Sequence, residues 1–245
     1  MRGVATSDLH LGHRRFPATI DGRNAREVDV ERAWKRAVDN MVEADPDLVL
    51  IGGDIVDHPR VSVHAIMAWR DGVRRLVEET RAHVVAVQGN HDAVKTADSR
   101  TPIVIPGDYE RVHIVLEPRR IRIPIERTGE LCSAACFPYR GLSDSNESYR
   151  LEPDDEADVN VLLMHAAVRS DAAEGKIPAF YAGDEAIDVG READRWSLIA
   201  VGDYHEFTHL TDDGMAFYPG SIERTSSDIW SEHQEKGVVV YDTRE

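Results

Sequence analysis

The stretch "VVAVQGNHDA", Val84 to Ala93, combines the two features that decide the fold of this 245-residue chain. It begins as an apolar, β-branched run of the kind that forms a buried strand. It then ends abruptly in Gly89, Asn90, His91 and Asp92. A turn after a strand needs only a Gly-Asn pair. The amide, imidazole and carboxylate that crowd this one strand end therefore indicate a site for metal binding or proton transfer.

Four other apolar runs also end in polar side chains that could bind a metal. Taken alone, each of these residues could have a purely structural role. Asp8 could cap a helix, and His165 could be a buried imidazole of the core. An open α/β sheet, however, places its functional site at the carboxyl ends of its strands. The conjunction of five such ends therefore favours one shared metal site. The polar residues that follow the other four runs are Asp8 and His10, Asp54, His165, and Asp203 and His205.

The order of the patterns predicts an α/β fold. Apolar residues recur at helical spacing in residues 27–44 and again in residues 62–81. These two helices, each between strand-like runs, form successive β-α-β units and predict parallel central strands. After about residue 110 the runs alternate in the manner of antiparallel strands. Because no linker-like stretch interrupts the chain, we expect a single domain over residues 1–245.

The composition narrows the class of protein. Apolar residues make up 42% and charged residues 30% of the chain, which is typical of a soluble globular protein. The N-terminus turns polar too early for a signal peptide, so we expect a cytoplasmic protein without a membrane partner. Cys132 and Cys136 are too few for a structural zinc site, and we expect both to be reduced and packed. The net charge of -16 argues against a generic binder of nucleic acid.

The residue types at the strand ends suit a pair of divalent ions. Mixed carboxylate, imidazole and amide ligands favour ions such as Mn, Fe or Zn over soft thiolate metals. A carboxylate such as Asp54 can bridge two ions, and a water between them would be acidified to a nucleophilic hydroxide. We expect Asn90 to hold a metal and the neighbouring His91 to protonate the leaving oxygen or stabilise the transition state. Asp92 is then expected to orient His91.

Six motifs resemble, in order, those of the calcineurin-like metallophosphoesterases: "SDLHLG", "GGDIVDH", "GNHD", "LLMHA", "GDYH" and "YPGSIER". The opening "DLHLG" and the closing "YPGSIER" are most similar to the SbcD-type branch of DNA-repair nucleases. The resemblance runs from about residue 4 to the end of the chain. It implies an α/β fold of two packed mixed β-sheets flanked by helices.

The resemblance also implies a role for each matching position. Two divalent ions are expected, with Mn favoured and Mg, Fe or Zn as alternatives. His91 would be the catalytic histidine, and Asp57 or His58 would line the substrate side as a further catalytic candidate. The first ion would be held by Asp8, His10, Asp54 and His205, and the second by Asp54, Asn90, His165 and Asp203.

The sequence departs from the family pattern at two places. Where the family has Gly-His-x-His, this chain has Gly202-Asp203-Tyr204-His205. Asp203 can still ligate and would favour harder ions such as Mn or Mg, or else His209 or water takes its place. The chain also stops at "GVVVYDTRE". We therefore expect the phosphoesterase core without the capping domain of SbcD-type nucleases, and we do not expect an SbcC-type ATPase partner.

The substrate is less well specified by the sequence. Arg14, Arg15 and Arg224 follow the ligand motifs and could bind phosphates at the rim of the site, and Phe180 and Tyr181 could stack on bases. We expect a metal-dependent nuclease acting on DNA, as an exonuclease or endonuclease. A phosphodiesterase or phosphatase for a small nucleotide or other phosphoester is the first alternative, and a non-catalytic binding scaffold is the second. A homodimer formed through the helix at 62–81 stays open.

Overall fold

The computed structural model describes residues 1–94, 100–139, 152–173, 177, 187–226 and 232–244. Its helices are α1 (Ala25–Ala44), α2 (Val63–Glu79) and α3 (Val189–Glu192), with 3₁₀ turns at Pro102–Asp108, Asp171–Ala173 and Ala193–Arg195. Its strands are β1 (Arg2–Thr6), β2 (Thr19–Ile20), β3 (Arg23–Asn24), β4 (Leu48–Ile51), β5 (His83–Val87), β6 (Val112–Val115), β7 (Arg119–Pro124), β8 (Leu131–Phe137), β9 (Val159–His165), β10 (Val168–Arg169), β11 (Ile187–Asp188), β12 (Leu198–Gly202), β13 (Thr208–His209), β14 (Ala216–Tyr218) and β15 (Val239–Asp242).

Two mixed sheets form the centre of the fold, as the resemblance implies. The first sheet has the order β15-β1-β4-β5-β6, and only its edge strand β15 runs antiparallel to its neighbour. The second sheet has the order β13-β14-β12-β9-β8-β7. Its edge strands β13 and β7 pair antiparallel, while the four strands between them are parallel. The fold class is therefore confirmed.

The prediction of antiparallel strands after residue 110 is wrong for most of that region. Strand β6 pairs parallel with β5, and β8 pairs parallel with β9. Only β7 shows the alternating exposure from which antiparallel pairing was inferred, and β7 lies at an edge. Alternation reports that one face of a strand meets solvent. It does not report the direction of the neighbouring strand.

Both long helices pack on the outer face of the first sheet. Asn24 caps α1 by accepting a hydrogen bond from the Arg26 N–H, and Ser62 caps α2 by accepting one from the Ala65 N–H. The helices begin and end within two residues of the predicted bounds. Trp34 of α1 and Trp69 of α2 are almost fully buried, with ring centroids 5.7 Å apart. The amphipathic spacing read from the sequence therefore corresponds to the real buried stripes.

The strands of the first sheet are buried on both faces. In β4, Val49 and Ile51 pack toward the helices, while Leu48 and Leu50 pack toward the second sheet. Both sheets supply residues to the core between them, which includes the buried free thiols of Cys132 and Cys136. A strand buried on two faces needs an unbroken apolar run. Polar side chains are therefore displaced to the strand ends.

No helix in the described part of the chain is long and apolar enough to cross a lipid bilayer.

Candidate metal centre

The carboxyl ends of the two sheets meet closely at one edge of the molecule. Gly202, at the end of β12, lies so near β4 that a Cβ atom there would stand 1.9 Å from the Gly52 carbonyl oxygen. A Cβ atom on Gly89, just after β5, would stand 2.1 Å from an Asp54 carboxylate oxygen. Neither position tolerates a side chain, because both distances lie far below van der Waals contact. The glycines thus allow polar groups from both sheets to share one space.

Four of the predicted ligands have left-handed backbone conformations. The φ angles are 51° at Asp8, 45° at His10, 48° at Asp54 and 107° at Asp203. Non-glycine residues adopt such angles at a cost of about 1–3 kcal/mol each, and they cluster at functional sites. Strand β1 ends at Thr6, so Asp8 and His10 lie in the turn that follows it.

The first cluster, which we define as Asp8, His10 and His205, brings together residues almost 200 positions apart. The Nε2 atoms of His10 and His205 are 3.1 Å apart. The Nε2 atom of His205 lies 4.0 Å from an Asp8 carboxylate oxygen. One ligand atom from each residue lies within 4.8 Å of the others, so the three could hold one cation. This is the set that the resemblance implies for the first ion, apart from Asp54.

The second cluster, which we define as Asp54, Asn90 and His165, lies beside the first. His165 Nε2 is 2.8 Å from the Asn90 side-chain oxygen and 3.6 Å from Asp54 Oδ1. The other oxygen of Asp54, Oδ2, lies 3.8 Å from Nε2 of His10 in the first cluster. Asp54 therefore directs one carboxylate oxygen toward each cluster, as expected of a bridging ligand. Asp8 also lies within reach of Asp54 and His165.

Asp203 lies at the edge of the second cluster. Its Oδ1 is 3.5 Å from His165 Nε2, and its backbone N–H donates to the Asp8 carboxylate at 3.2 Å. His209, the alternative ligand, packs its ring on Phe207 at 4.8 Å between centroids and belongs to no three-residue group found in the described chain. The geometry thus brings Asp203, and not His209, next to the second cluster.

The electrostatics of the two clusters suit divalent cations. Burial opposes protonation of His165, yet the carboxylates of Asp203, Asp54 and Asp8 raise its pKa to about 10. A field strong enough to hold a proton on a buried imidazole is a field that attracts a metal cation. The donors are carboxylate, imidazole and amide groups without a thiolate, which fits harder divalent ions. The residues therefore fit the pair of ions that the resemblance implies.

Asp57 and His58 have different environments, and only Asp57 joins the site. One Asp57 carboxylate oxygen lies 2.9 Å from His13 Nδ1 and 3.4 Å from His10 Nδ1. Burial alone would raise the pKa of Asp57, but its contacts with these two histidines hold its pKa well below the usual range. His58 is exposed, and its Nδ1 accepts the Arg60 N–H at 2.9 Å.

His91 lies exposed beside the first cluster. Its ring is 4.7 Å from the His10 ring, and its Nδ1 is 2.7 Å from the Asp57 carbonyl oxygen. This contact assigns the proton to Nδ1 and leaves Nε2 directed away from Asp57. The predicted orientation by Asp92 is wrong, because the buried Asp92 carboxylate accepts the N–H groups of Val56 and Gly89. Asp92 fixes the two loops and does not hold the imidazole.

The rim arginines have partners within the protein. Arg14 donates from Nε to the buried Glu27 carboxylate at 2.9 Å. Arg15 lies over the Phe16 ring at 5.8 Å, and Arg224 donates from Nε to the Glu232 carbonyl oxygen at 2.9 Å. Phe180 and Tyr181 lie outside the described residues.

The sequence interpretation missed two residues that touch a metal ligand. Glu232 and Lys236 both contact His205. No motif marks them, because Glu232 and Lys236 lie well beyond the strand ends, in a polar segment near the C-terminus. The only local signal for this pair was that an acidic residue, Glu232, and a basic residue, Lys236, lie four positions apart.

The comparison with family models is decisive for the class of protein. A model of the calcineurin-like phosphoesterases matches residues 1–207. The chain belongs to this family. The matched range includes every predicted metal ligand from Asp8 to His205. It ends before Glu232, so the contacts of this calcineurin-like phosphoesterase with its own C-terminal segment lie outside the matched range.

Two relatives of this calcineurin-like phosphoesterase carry the same name. The chain is 26% identical over 196 residues to the "DNA double-strand break repair protein Mre11" of Methanopyrus kandleri, covering 74% of this chain and 42% of that protein. It is 29% identical over 102 residues to the Mre11 protein of Methanococcus maripaludis, covering 42% of this chain and 26% of that one. The chain thus spans less than half the length of either relative.

A solved structure shares the fold. The putative 5'-nucleotidase from Staphylococcus aureus superposes with a TM-score of 0.53 at 12% sequence identity. The superposition covers 98% of this chain and 52% of that one. At this identity the likeness concerns the arrangement of sheets and helices alone.

Proposed function

We propose that this chain is a metal-dependent phosphodiesterase that uses two divalent ions, with Mn favoured, to cleave DNA. The observation that carries the proposal is the placement of Asp54. Its two carboxylate oxygens face His165 of one cluster and His10 of the other. These residues would hold two ions, which when bound would polarise a phosphoryl oxygen and stabilise the attacking and leaving oxygens of a phosphoryl transfer.

The chain's own residues would divide the remaining work. His91 is exposed, and its Nδ1 is engaged by the Asp57 carbonyl oxygen, so Nε2 can carry or deliver a proton at the leaving oxygen. Asp57 keeps the His10 imidazole in place through its carboxylate and the His91 imidazole through its carbonyl. One residue thus aligns a metal ligand and a proton donor.

Three observations support DNA as the substrate. One relative, whose match covers 74% of this chain, is named for DNA double-strand break repair. The motifs "DLHLG" and "YPGSIER" favour the SbcD-type branch. Arg14, Arg15 and Phe16 are exposed on the loop that follows the ligand His10, where they could contact a polynucleotide.

The net charge favours a second candidate, a small phosphoester. A chain with a net charge of -16 repels a long polyanion unless basic residues are concentrated near the site. Arg14 and Arg224 are already engaged by protein groups. A nucleotide or chromogenic ester needs fewer phosphate contacts. A non-catalytic scaffold is the weakest candidate, because both clusters and His91 are present together.

One assay panel separates these candidates. Purified protein is incubated with Mn, Mg, Zn or no metal, each with linear duplex DNA, single-stranded DNA and bis-nitrophenyl phosphate. We expect Mn-dependent cleavage of DNA that a chelator abolishes. Turnover of the chromogenic ester with every form of DNA left intact would contradict the nuclease and support the small phosphoester. No turnover of any substrate with any metal would support the scaffold.

A further inference from the structure

The three histidines of the metal centre differ in what holds their other ring nitrogen. Nδ1 of His10 lies 3.4 Å from the Asp57 carboxylate, and Nδ1 of His205 lies 3.4 Å from the Glu232 carboxylate. Nδ1 of His165, in contrast, lies 2.7 Å from the backbone carbonyl oxygen of Gly52. Both imidazoles of the first cluster are therefore backed by a negative charge, while the imidazole of the second cluster is backed by a neutral group.

Glu232 is built into the protein as a fixed acceptor. It is 4% exposed, and one of its oxygens accepts the backbone N–H groups of Thr225 and Ser226 at 3.1 and 2.7 Å. The other oxygen pairs with the Lys236 ammonium at 2.5 Å. Lys236 also donates to the backbone carbonyl oxygen of His205 at 2.7 Å. The acid and the base thus hold the imidazole and the main chain of the same ligand.

A carboxylate behind a metal-binding imidazole fixes its tautomer and increases its basicity as a ligand. Asp8 belongs to the first cluster but also lies within reach of Asp54 and His165, and Asp203 lies beside the second cluster. The carboxylates therefore do not favour the first cluster, and its advantage lies in its nitrogen ligands. The first cluster has two imidazoles with carboxylate partners, and the second has one imidazole with a carbonyl partner and a neutral amide.

We infer that the two clusters bind their ions with unequal affinity and in a fixed order, and that Glu232 is the positioning residue that makes the first cluster the tighter one. The inference rests on the two-ion centre of the proposed function. It adds that a residue beyond the matched family range decides which ion is retained. The ion of the second cluster is then the exchangeable one.

Two hydroxyl groups compete with Glu232 for the same ring nitrogen. The Ser226 hydroxyl oxygen lies 3.2 Å and the Thr225 hydroxyl oxygen 3.4 Å from His205 Nδ1. A hydroxyl group can accept the Nδ1–H bond, but it carries no charge. Ser226→Ala therefore tests the hydrogen bond without the charge, and Glu232→Gln tests the charge with an acceptor oxygen retained.

The experiment is calorimetric titration of the metal-free protein with Mn²⁺, for the wild type and Glu232→Gln. Glu206→Gln is the matched control, because the Glu206 carboxylate anchors the same segment through His233 N–H at 2.6 Å without a side-chain contact to a ligand in the described chain. We expect two steps for the wild type. In Glu232→Gln the tighter step should weaken by about 10–100-fold, while the weaker step stays unchanged.

Electron paramagnetic resonance at one equivalent of Mn²⁺ gives a second readout. The wild type should show an isolated ion, whereas Glu232→Gln should also show the exchange-coupled pair, because its two affinities lie closer together. If Glu232→Gln does not fold, Glu232→Asp replaces it. That variant keeps the charge but withdraws it from Nδ1, and it should weaken the same step less.

The outcomes separate the inference from the proposed function. Two wild-type steps with no change in the tighter step of Glu232→Gln would overturn the inference and leave the two-ion centre intact. An equal loss in Ser226→Ala or Glu206→Gln would also overturn it, because the charge would not be the cause. A wild type that binds no Mn²⁺ would overturn the proposed function itself.

Discussion

The helix-covered face of the first sheet and the strand ends that carry the metal clusters are stabilised in opposite ways. On the helix face, capped helices bury Trp34 and Trp69 against apolar strands. At the strand ends, Asp8, Asp54 and His165 are buried, with at most 2% of each residue exposed. The backbones of the two aspartates have left-handed conformations. The first region favours folding through buried apolar area. The second opposes it until a cation offsets the buried charge.

Asp54→Asn should have the largest effect and applies to the strand ends alone. It keeps the shape of the side chain but removes the charge shared by both clusters. Loss of several kcal/mol of transition-state stabilisation corresponds to a fall in phosphoesterase activity of roughly 10³-fold or more. Bound Mn, measured by elemental analysis, should fall below two ions per chain.

The same variant tests whether the buried charge at the strand ends destabilises the metal-free fold. The metal-free Asp54→Asn protein should resist urea as well as the metal-free wild type or better, because a buried charge has been removed. A large loss of stability in the metal-free state would contradict this expectation, since the strand ends would then stabilise the fold without a cation.

His91→Ala should lower turnover while leaving the metal ligands in place. General acid catalysis typically contributes about 10²–10⁴-fold, and a loss of that size is expected in kcat. Two Mn ions per chain should still bind, because His91 belongs to neither cluster, although it lies within reach of His10 and Asp57. His58→Ala is the matched control, because the exposed His58 imidazole accepts a hydrogen bond from the Arg60 N–H. An equal loss in both variants would contradict the roles assigned here.

Trp34→Ala should destabilise the helix-covered face without affecting the metal clusters. Trp34 is 2% exposed and donates from its indole N–H to the Ala68 carbonyl oxygen at 2.9 Å. Truncation of a buried tryptophan costs about 3–5 kcal/mol in the free energy of unfolding, which urea titration measures. The Mn stoichiometry of the folded fraction should remain that of the wild type. Loss of Mn together with stability would show that the two regions are not independent.

Asp203→His should have the smallest effect, a change in metal preference. An imidazole in place of this carboxylate lowers the negative charge beside His165 and favours borderline ions such as Zn. We expect the ratio of Zn to Mn affinity to rise by roughly tenfold, as competition titration would measure. An unchanged ratio would place Asp203 outside the ligands of the second cluster.

The same contrast explains how far the sequence could be interpreted. The bounds of α1 and α2 follow from the spacing of buried residues such as Trp34, because that spacing depends only on local helix geometry. The ligands could be named because each follows an apolar run. The distances between the ligands could not be predicted, because the left-handed turns at Asp8 and His10 depend on hydrogen bonds with the loop at Gly53 and Asp54.

Contacts that cross the fold escaped the sequence entirely. Asp92 is two residues from Asn90 and looked like a partner of His91, but its carboxylate is used by the N–H groups of Val56 and Gly89. Glu232 reaches His205 across a separation of 27 residues. Neither contact follows from a local pattern, because both depend on where two distant segments meet.

We expect the two sheets to converge on a pair of ions with Asp54 between them. Anomalous scattering at the Mn edge, from crystals grown with Mn²⁺, tests it most directly. We expect two peaks about 3.5–4 Å apart, one beside His10 and His205 and one beside Asn90 and His165. A map with no peak in either cluster, or with a single peak remote from Asp54, would contradict it.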